Sequence, residues 1–310
     1  MKPLFFILSL ILCLGAVGFL WRLNTENNPT PARSEASPSP LPKIEKPLAT
    51  APASHLPKAK NPKAVLPPST DTAREKLTEF EVIDGLAIAY GDVILGKPET
   101  KDGAEITHGF YEPEIPQTWD RPVIPYAINP NLPNPKRVEL ALQYFAQNTP
   151  VSFTPYRGEN DAIVFEPGND QCFSALGKTG GVQPIRLSEG CGTPQIIHEI
   201  MHALGFIHEQ SRTDRDQYVE VLWPNIQEKY KLQFGEVPPN LMEILKDSPF
   251  DFHSAMLYRT DAFALSPDRP TLKSKVDTAI SPVPQGLSEE DIRRLNRLYH
   301  PEESKDYSQT

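Results

Sequence analysis

The chain carries the sequence HEIMHALGFIH at residues 198–208, and this stretch decides both the fold and the chemistry. A helix over residues 194–204 would place His198 and His202 four positions apart, so that both side chains project from one face, one turn from each other. Two imidazoles in that arrangement can reach one ion. The stretch therefore predicts a metal site on an active-site helix.

A third histidine and a glutamate complete this pattern. Gly205 follows the helix where a left-handed residue favours glycine, so the chain can turn and bring His208 back to the same ion. Three neutral imidazoles with a fourth position open to water are typical of catalytic zinc. Glu199 would lie beside that water as general base. The alternative is a pair of histidines on a core helix, with His208 unrelated.

The residues that follow make the pattern more specific. Residues 205–216 read GFIHEQSRTDRD. Together with the preceding histidines they resemble the signature HExxHxxGFxHExxRxDR of the astacin family at every fixed position, and that family is part of the metzincin clan. The resemblance implies one Zn²⁺ per catalytic domain, with His198, His202 and His208 as its ligands.

The same resemblance carries expectations about fold and activity. It implies an α+β, zincin-like catalytic domain of two subdomains, with a twisted mixed β-sheet, an active-site helix and a Met-turn. The expected activity is that of a zinc metalloendopeptidase made as a latent proform, in which Glu199 activates a zinc-bound water against an extended peptide. Two other classes stay open: a metallohydrolase restricted to cell-wall peptides, and an inactive binding module.

A second stretch, SAMLY at residues 254–258, resembles the Met-turn of the family. Met256 would form a soft apolar floor under the zinc site. The resemblance implies that Tyr258 lies near the ion and donates a hydrogen bond to the oxyanion of the transition state. Leu257 stands where the family usually has histidine. Read without the upstream motif, the stretch would indicate only a buried methionine and a surface tyrosine.

The sequence AYGDV at residues 89–93 resembles, in part, the FxGD motif of astacin pro-segments. In that motif the aspartate binds zinc in place of water, so Asp92 is a candidate latency ligand. Alanine stands here at the phenylalanine position. The alternative is an ordinary Gly-Asp turn.

Cys172 and Cys191 are nineteen residues apart. In an exported protein, two cysteines of one folded domain favour a disulfide, and their placement resembles one astacin disulfide. The alternative is a pair of metal thiolates. The second bridge that astacins usually have is absent from this sequence.

Composition divides the chain into five segments. Residues 1–21 are apolar and predict a signal peptide or an uncleaved membrane anchor, or lipid attachment at a cysteine within them. Residues 22–70 contain eleven prolines and predict a disordered linker. We expect a pro-segment at 71–112, the catalytic domain at 113–301 and a disordered tail at 302–310.

Charge and export bear on partners and location. The net charge is −9 and the isoelectric point about 5.4, which argues against nucleic acid and anionic surfaces as partners. Any contact with a membrane is expected only through the N-terminal segment, if it stays uncleaved. The protein is expected outside the cytoplasm, secreted or tethered to the cell envelope.

Local signals predict where several elements begin. Thr193 is predicted to cap the active-site helix, which Pro194 opens. Residues 261–284 are polar and contain proline, so they predict a loop. The segment at 287–299 resembles the closing helix of astacins, with Ser288 as its cap and Asp291 three positions on.

Overall fold

The computed structural model describes residues 78–98 and 107–299. The predicted signal or anchor, the proline-rich linker, the start of the pro-segment and the tail lie outside these residues. Within the described part of the chain, no helix is both long enough and apolar enough to cross a membrane.

A mixed sheet of nine strands organises the upper part of the molecule, in the order β4-β1-β2-β3-β8-β9-β7-β5-β6. The strands are β1 Thr78–Ile83, β2 Leu86–Ala89, β3 Val93–Gly96, β4 His108–Tyr111, β5 Val123–Ile128, β6 Ser152–Pro155, β7 Ala162–Pro167, β8 Cys172–Ala175 and β9 Val182–Leu187. Strands β6, β5, β7 and β9 run parallel, whereas β8 is antiparallel to β9. The predicted α+β fold with a mixed sheet is confirmed.

The segment that precedes the catalytic domain in sequence extends this sheet. Strands β4, β1, β2 and β3 form antiparallel pairs, and β3 lies parallel to β8 with Val93 opposite Ser174. The amide of Ser174 donates to the carbonyl of Asp92 at 3.0 Å. The edge of β8, which would otherwise be open, is thereby covered. The same hydrogen bond fixes the backbone of Asp92 against β8.

Two helices pack against the sheet and against each other: α1 (Lys136–Asn148) and α2 (Thr193–Ala203). Their buried apolar residues recur at three- and four-residue spacing, which gives each helix one core-facing stripe. In α1 these residues are Val138, Ala141, Leu142 and Phe145, and in α2 they are Ile196, Ile197, Ile200, Met201 and Ala203.

The active-site helix begins one residue earlier than predicted. Gly192, not Thr193, is its N-cap, and the Gly192 amide donates to Oε1 of Gln195 at 3.0 Å. Thr193 is already helical, and its hydroxyl donates to the carbonyl of Arg137 at 3.3 Å. The prediction failed because the Thr193 hydroxyl donates to a carbonyl of α1 and is not available as a cap. The side chain of Gln195, at the third helical position, accepts from the Gly192 amide instead.

The lower part is irregular. It holds a two-stranded ribbon, β10 (Val219–Val221) with β11 (Leu272–Ser274), and ends in α3 (Glu289–Tyr299). Short 3₁₀ helices fill most of the remainder: Glu209–Ser211, Arg215–Gln217, Trp223–Asn225, Glu228–Phe234 and Pro239–Leu245. The predicted loop at 261–284 therefore contains one strand. The sequence did not predict β11 because three residues are too few to show an alternation of apolar and polar side chains. Its partner strand, β10, also lies some fifty residues away in the sequence.

Candidate active site

Three histidine side chains converge on one point. His198 and His202 project from α2, and their ring centres lie 4.8 Å apart. His208 completes the group, with its ring 5.0 Å from that of His198 and 4.7 Å from that of His202. The Nε2 atoms of His198 and His208 are 3.0 Å apart. The three residues named from the sequence thus share one centre.

Gly205 makes this convergence possible. Its φ is +104°, and its amide closes the helix by donating to the carbonyl of His202 at 2.8 Å. A side chain at this position would collide with the terminal methyl group of Ile244 and would also be strained by the backbone angle. The chain therefore reverses here, as the sequence predicted, and returns His208 to the helix.

The outer nitrogens of two histidines are held by backbone carbonyls. Nδ1 of His198 lies 2.8 Å from the carbonyl of Ala255, and Nδ1 of His202 lies 2.7 Å from that of Phe206. A carbonyl oxygen can accept a hydrogen bond but cannot donate one, so the Nδ1 that faces it carries a proton in each ring, and Nε2 is the nitrogen that points inward. Metal-binding histidines are oriented in this way.

Asp92 of the preceding segment reaches the same centre. Its carboxylate oxygens lie 3.1 Å from Nε2 of His202 and 3.4 Å from Nε2 of both His198 and His208. The four ligand atoms all lie within 4.8 Å of one another. Nε2 of His202 and Oδ1 of Asp92 are buried without a hydrogen bond. Three imidazoles and one carboxylate, with buried lone pairs pointed at one another, form a donor set that fits zinc.

Burial and charge set the protonation of this group. Burial would raise the pKa of Asp92, but the charges of His208 and His202 hold it well below its usual range. Burial lowers the pKa of His202 to about 4. For His198 burial acts in the same direction, but the hydrogen bond and charge of Asp92 prevail and raise its pKa.

Glu199 follows the first histidine and faces the cleft. It is almost fully buried, and its Oε2 has no hydrogen-bond partner in the described part of the chain. Burial, and next the charge of Asp92, raise the pKa of Glu199 well above its ordinary value. A carboxylate with a raised pKa is a stronger base than one in water, which suits proton transfer near neutral pH.

Tyr258 lies next to His208, with the two ring centres 4.8 Å apart. Its hydroxyl group donates to the carbonyl of Tyr90 at 3.4 Å and lies 3.5 Å from Oε1 of Gln233. Burial raises the pKa of Tyr258 well above its ordinary value, so the phenol stays protonated and can donate. The preceding segment therefore contacts Tyr258 through the Tyr90 carbonyl and the three histidines through Asp92.

Met256 is buried in the same core cluster as Ile200 and Met201 of the active-site helix. Its carbonyl accepts from the amide of Glu209 at 2.9 Å, and its amide donates to the hydroxyl of Ser254 at 3.0 Å. The turn therefore joins the segment after His208 to the helix that carries the other two histidines. The position of Met256 beneath the histidines stays a prediction.

Asp291 holds this turn through hydrogen bonds, and the sequence did not predict that role. Its carboxylate accepts from the hydroxyl of Ser254 at 2.7 Å and from the amide of Ala255 at 2.8 Å, and Ala255 in turn orients His198. The predicted capping box is also present, with the Asp291 amide donating to the hydroxyl of Ser288 at 2.9 Å. Only the capping role could be read from spacing.

A buried charge network lies behind the third histidine. Glu209 is fully buried and accepts from Nη1 of Arg294 at 2.6 Å and from the amide of Asp251 at 3.1 Å. Arg212 forms a two-pronged pair with Asp214, at 2.8 and 2.9 Å. Glu209, Arg212 and Asp214 of the signature thus form buried or part-buried ion pairs. The pair of Glu209 with Arg294 connects α3 to the segment after His208.

The two cysteines join the sheet to the start of α2. Cys172 and Cys191 form a disulfide with their Cα atoms 6.2 Å apart. Cys172 lies in β8, the strand that β3 covers, and Cys191 directly precedes the N-cap of the helix. The predicted disulfide is confirmed, and the thiolate alternative is excluded.

Comparison with known proteins identifies the family. Residues 112–300 match the model of the peptidase family described as Astacin. This chain belongs to the astacin family. The match begins directly after β4, so it includes the three histidines, Glu199 and Met256 but not the segment that carries Asp92.

Curated astacin relatives resemble the chain over more than half of its length. Meprin A subunit alpha of Mus musculus is 36% identical over 238 residues, which are 74% of this chain and 30% of the relative. Zinc metalloproteinase nas-13 of Caenorhabditis elegans is 36% identical over 186 residues, which are 59% of this chain and 41% of the relative. The chain thus spans less than half the length of these two relatives.

A solved structure agrees with the fold. High choriolytic enzyme 1, a hatching enzyme zinc-protease from Oryzias latipes, matches with a TM-score of 0.53 and 33% identity. The match covers 59% of this chain and 94% of that structure. The astacin-like fold predicted from the sequence is therefore confirmed.

Proposed function

We propose that the protein is a zinc-dependent endopeptidase whose ligands are His198, His202 and His208. One observation carries this proposal: three buried or part-buried imidazoles direct their Nε2 atoms at one point, next to an unpartnered glutamate that faces an open cleft. When bound, zinc supplies Lewis-acid chemistry that polarises the scissile carbonyl and acidifies water. Membership of the astacin family supports the choice of metal.

Glu199 is proposed as general base and then general acid. Its unpartnered Oε2 can accept a proton from the attacking water and then deliver it to the leaving amine. Tyr258 is proposed to donate its phenolic hydrogen to the developing oxyanion once the preceding segment has left. Met256 is proposed to support the site from below.

We further propose that residues up to β4 form a pro-segment that keeps the protein latent. Asp92 lies within 3.4 Å of all three histidine Nε2 atoms, and the Tyr90 carbonyl engages the hydroxyl of Tyr258. Asp92 would therefore take the place of the water, and Tyr258 would be held away from the oxyanion. Strand β3 also covers β8, the edge that an extended substrate would use.

The substrate is proposed to be a protein or peptide in extended conformation. Removal of β1 to β4 would leave the backbone groups of β8 free to pair with it. An extracytoplasmic location, secreted or tethered to the envelope, is also proposed. The disulfide supports it, because such bonds persist in oxidising compartments.

A peptide library tests this function. The purified chain would be treated by limited proteolysis to remove the residues before 112, and incubated with proteome-derived peptides. Mass spectrometry would identify cuts with and without a zinc chelator, and with Glu199→Gln as the matched control. We expect chelator-sensitive cuts that Glu199→Gln does not make. Cuts that persist in the variant would refute the assigned base, and an intact library would refute the endopeptidase.

A further inference from the structure

The cleft beside the histidines is about 1160 Å³ and is lined by both apolar and polar residues. Four of the apolar residues are Leu257, Ile280, Pro282 and Val283, which we call the aliphatic wall. Polar groups such as Asp170 and Gln195 also line the cleft. The function proposed above does not require these apolar residues, which point to selection of substrate side chains.

The aliphatic wall is fixed relative to the catalytic residues. The amide of Ser281 donates to the carbonyl of Phe252 at 3.0 Å, and the amide of Val283 donates to that of His253 at 3.0 Å. These two carbonyls directly precede Ser254 of the Met-turn, and Ala255 of the same turn orients His198. Only a few residues therefore separate the wall from a histidine of the proposed metal site.

The far end of the wall is also held in place. The hydroxyl group of Tyr144 accepts from the amide of Leu287 at 2.8 Å. Gly286 has a φ of +78°, and a Cβ there would come within 2.6 Å of that hydroxyl. With both ends anchored, the segment from Ile280 to Pro284 forms a preformed surface. A preformed apolar surface discriminates between side chains without a cost of ordering.

The charges in the cleft do not favour acidic substrates. Among the described residues that line the cleft, Arg259 is the one lysine or arginine. Its guanidinium is paired with Asp261 through two contacts at 3.0 and 3.1 Å, and its side chain is 77% exposed. Asp170 adds an exposed carboxylate. Outside the proposed zinc site, an acidic side chain entering the cleft would thus meet acids and apolar groups, and no unpaired lysine or arginine among the described lining residues.

We propose that the cleft selects peptides with an aliphatic residue at a position that flanks the scissile bond, and rejects acidic residues there. This inference rests on the proposed endopeptidase function. An aliphatic side chain against the wall leaves water, whereas a carboxylate would be desolvated without a partner. A single methylene group in a hydrophobic pocket changes kcat/KM by about 10- to 200-fold. We therefore expect at least tenfold preference for leucine over aspartate.

The test uses protein purified as the full chain and then freed of the residues before 112 by limited proteolysis. Fluorogenic peptides would differ only at the two positions flanking the scissile bond, with Leu, Ala, Asp or Lys at each, and kcat/KM would be measured. Val283→Arg places a cation on the wall and should raise the Asp-to-Leu ratio at least tenfold. Val276→Arg is the matched control, because Val276 is exposed and does not line the cleft, and it should leave the ratio unchanged.

A second variant keeps the inference testable if Val283→Arg unfolds, which thermal melting would reveal. Val283→Ala should reduce the preference for Leu over Ala severalfold. An acidic preference in the wild type, equal rates for all side chains at both positions, or an Asp-to-Leu ratio unchanged in folded Val283→Arg would overturn the inference and leave the endopeptidase standing. Absence of any chelator-sensitive cleavage would overturn both.

Discussion

Gly91 lies where the preceding segment presses on the candidate active site, so Gly91→Ala should weaken that contact. Its φ is +100°, and a Cβ there would lie 2.7 Å from the hydroxyl oxygen of Tyr258 and 3.0 Å from the side chain of Gln233. The ring of Tyr258 cannot easily withdraw, because Phe234 and Phe263 pack against it with ring centres 5.5 and 5.3 Å away. The alanine variant must therefore displace Asp92 or distort the strand.

The size of the effect follows from the strain. A residue with a side chain held at such a backbone angle costs about 1–3 kcal/mol, before any clash is counted. If that free energy falls on the closed form alone, the open population rises about 5- to 150-fold. Basal activity of the unprocessed chain should rise by the same factor. After limited proteolysis has removed the segment, wild type and variant should have equal activity.

The assay is hydrolysis of a quenched fluorescent peptide by the unprocessed chain, with Gly85→Ala as the matched control. Gly85 lies in the turn between β1 and β2, also with positive φ (+73°), but a Cβ there meets no atom within 4 Å. The Gly85→Ala variant should leave latency nearly unchanged, because the backbone strain that it introduces lies away from the histidines. If Gly91→Ala gave no more activity than Gly85→Ala, the idea that this segment closes the site by contact with Tyr258 would be wrong.

Three further predictions concern stability, measured by urea unfolding. Trp119→Phe should cost about 1–3 kcal/mol, because the indole N–H donates at 2.9 Å to a buried carbonyl at the end of α2 that would lose its partner. Replacing both Cys172 and Cys191 with alanine should lower the free energy of unfolding by about 3 kcal/mol, the chain-entropy value for a loop of this length; an unchanged midpoint would contradict this. Hydrogen bonds from Arg212 lower the pKa of Asp214, so its stabilisation is complete above its ordinary pKa and is lost as pH falls through the lowered value. In Asp214→Asn, the free energy of unfolding should therefore fall less steeply with decreasing pH below about pH 4 than in the wild type. An equally steep fall would show that Asp214 does not contribute.

Local patterns were enough to predict the centre of the molecule. The spacing of His198 and His202, with Gly205 before His208, depends on helix geometry and one turn, and both are properties of a short stretch. The structure brings these three side chains together as expected. Their roles as ligands, and the role of Glu199, stay predictions. The fold class followed from the family resemblance, and the disulfide followed from export and the presence of two cysteines in one folded domain; both are confirmed.

Contacts between distant segments could not be predicted in the same way. The parallel pairing of β3 with β8 joins residues about eighty positions apart, and nothing in either strand encodes it. Asp291 is similar, because its spacing from Ser288 reveals a helix cap but not its bonds to the turn that holds Met256. At Thr193, local propensity favoured a cap, but a tertiary contact with α1 overrode it.

The central claim is that three histidines of this chain hold zinc at the proposed catalytic site. Crystals of the processed protein should be measured on both sides of the zinc absorption edge. The account predicts one strong anomalous peak within about 2.1 Å of Nε2 of His198, His202 and His208, and loss of that peak in His202→Ala. A peak elsewhere, or a peak of unchanged height in the variant, would contradict the account.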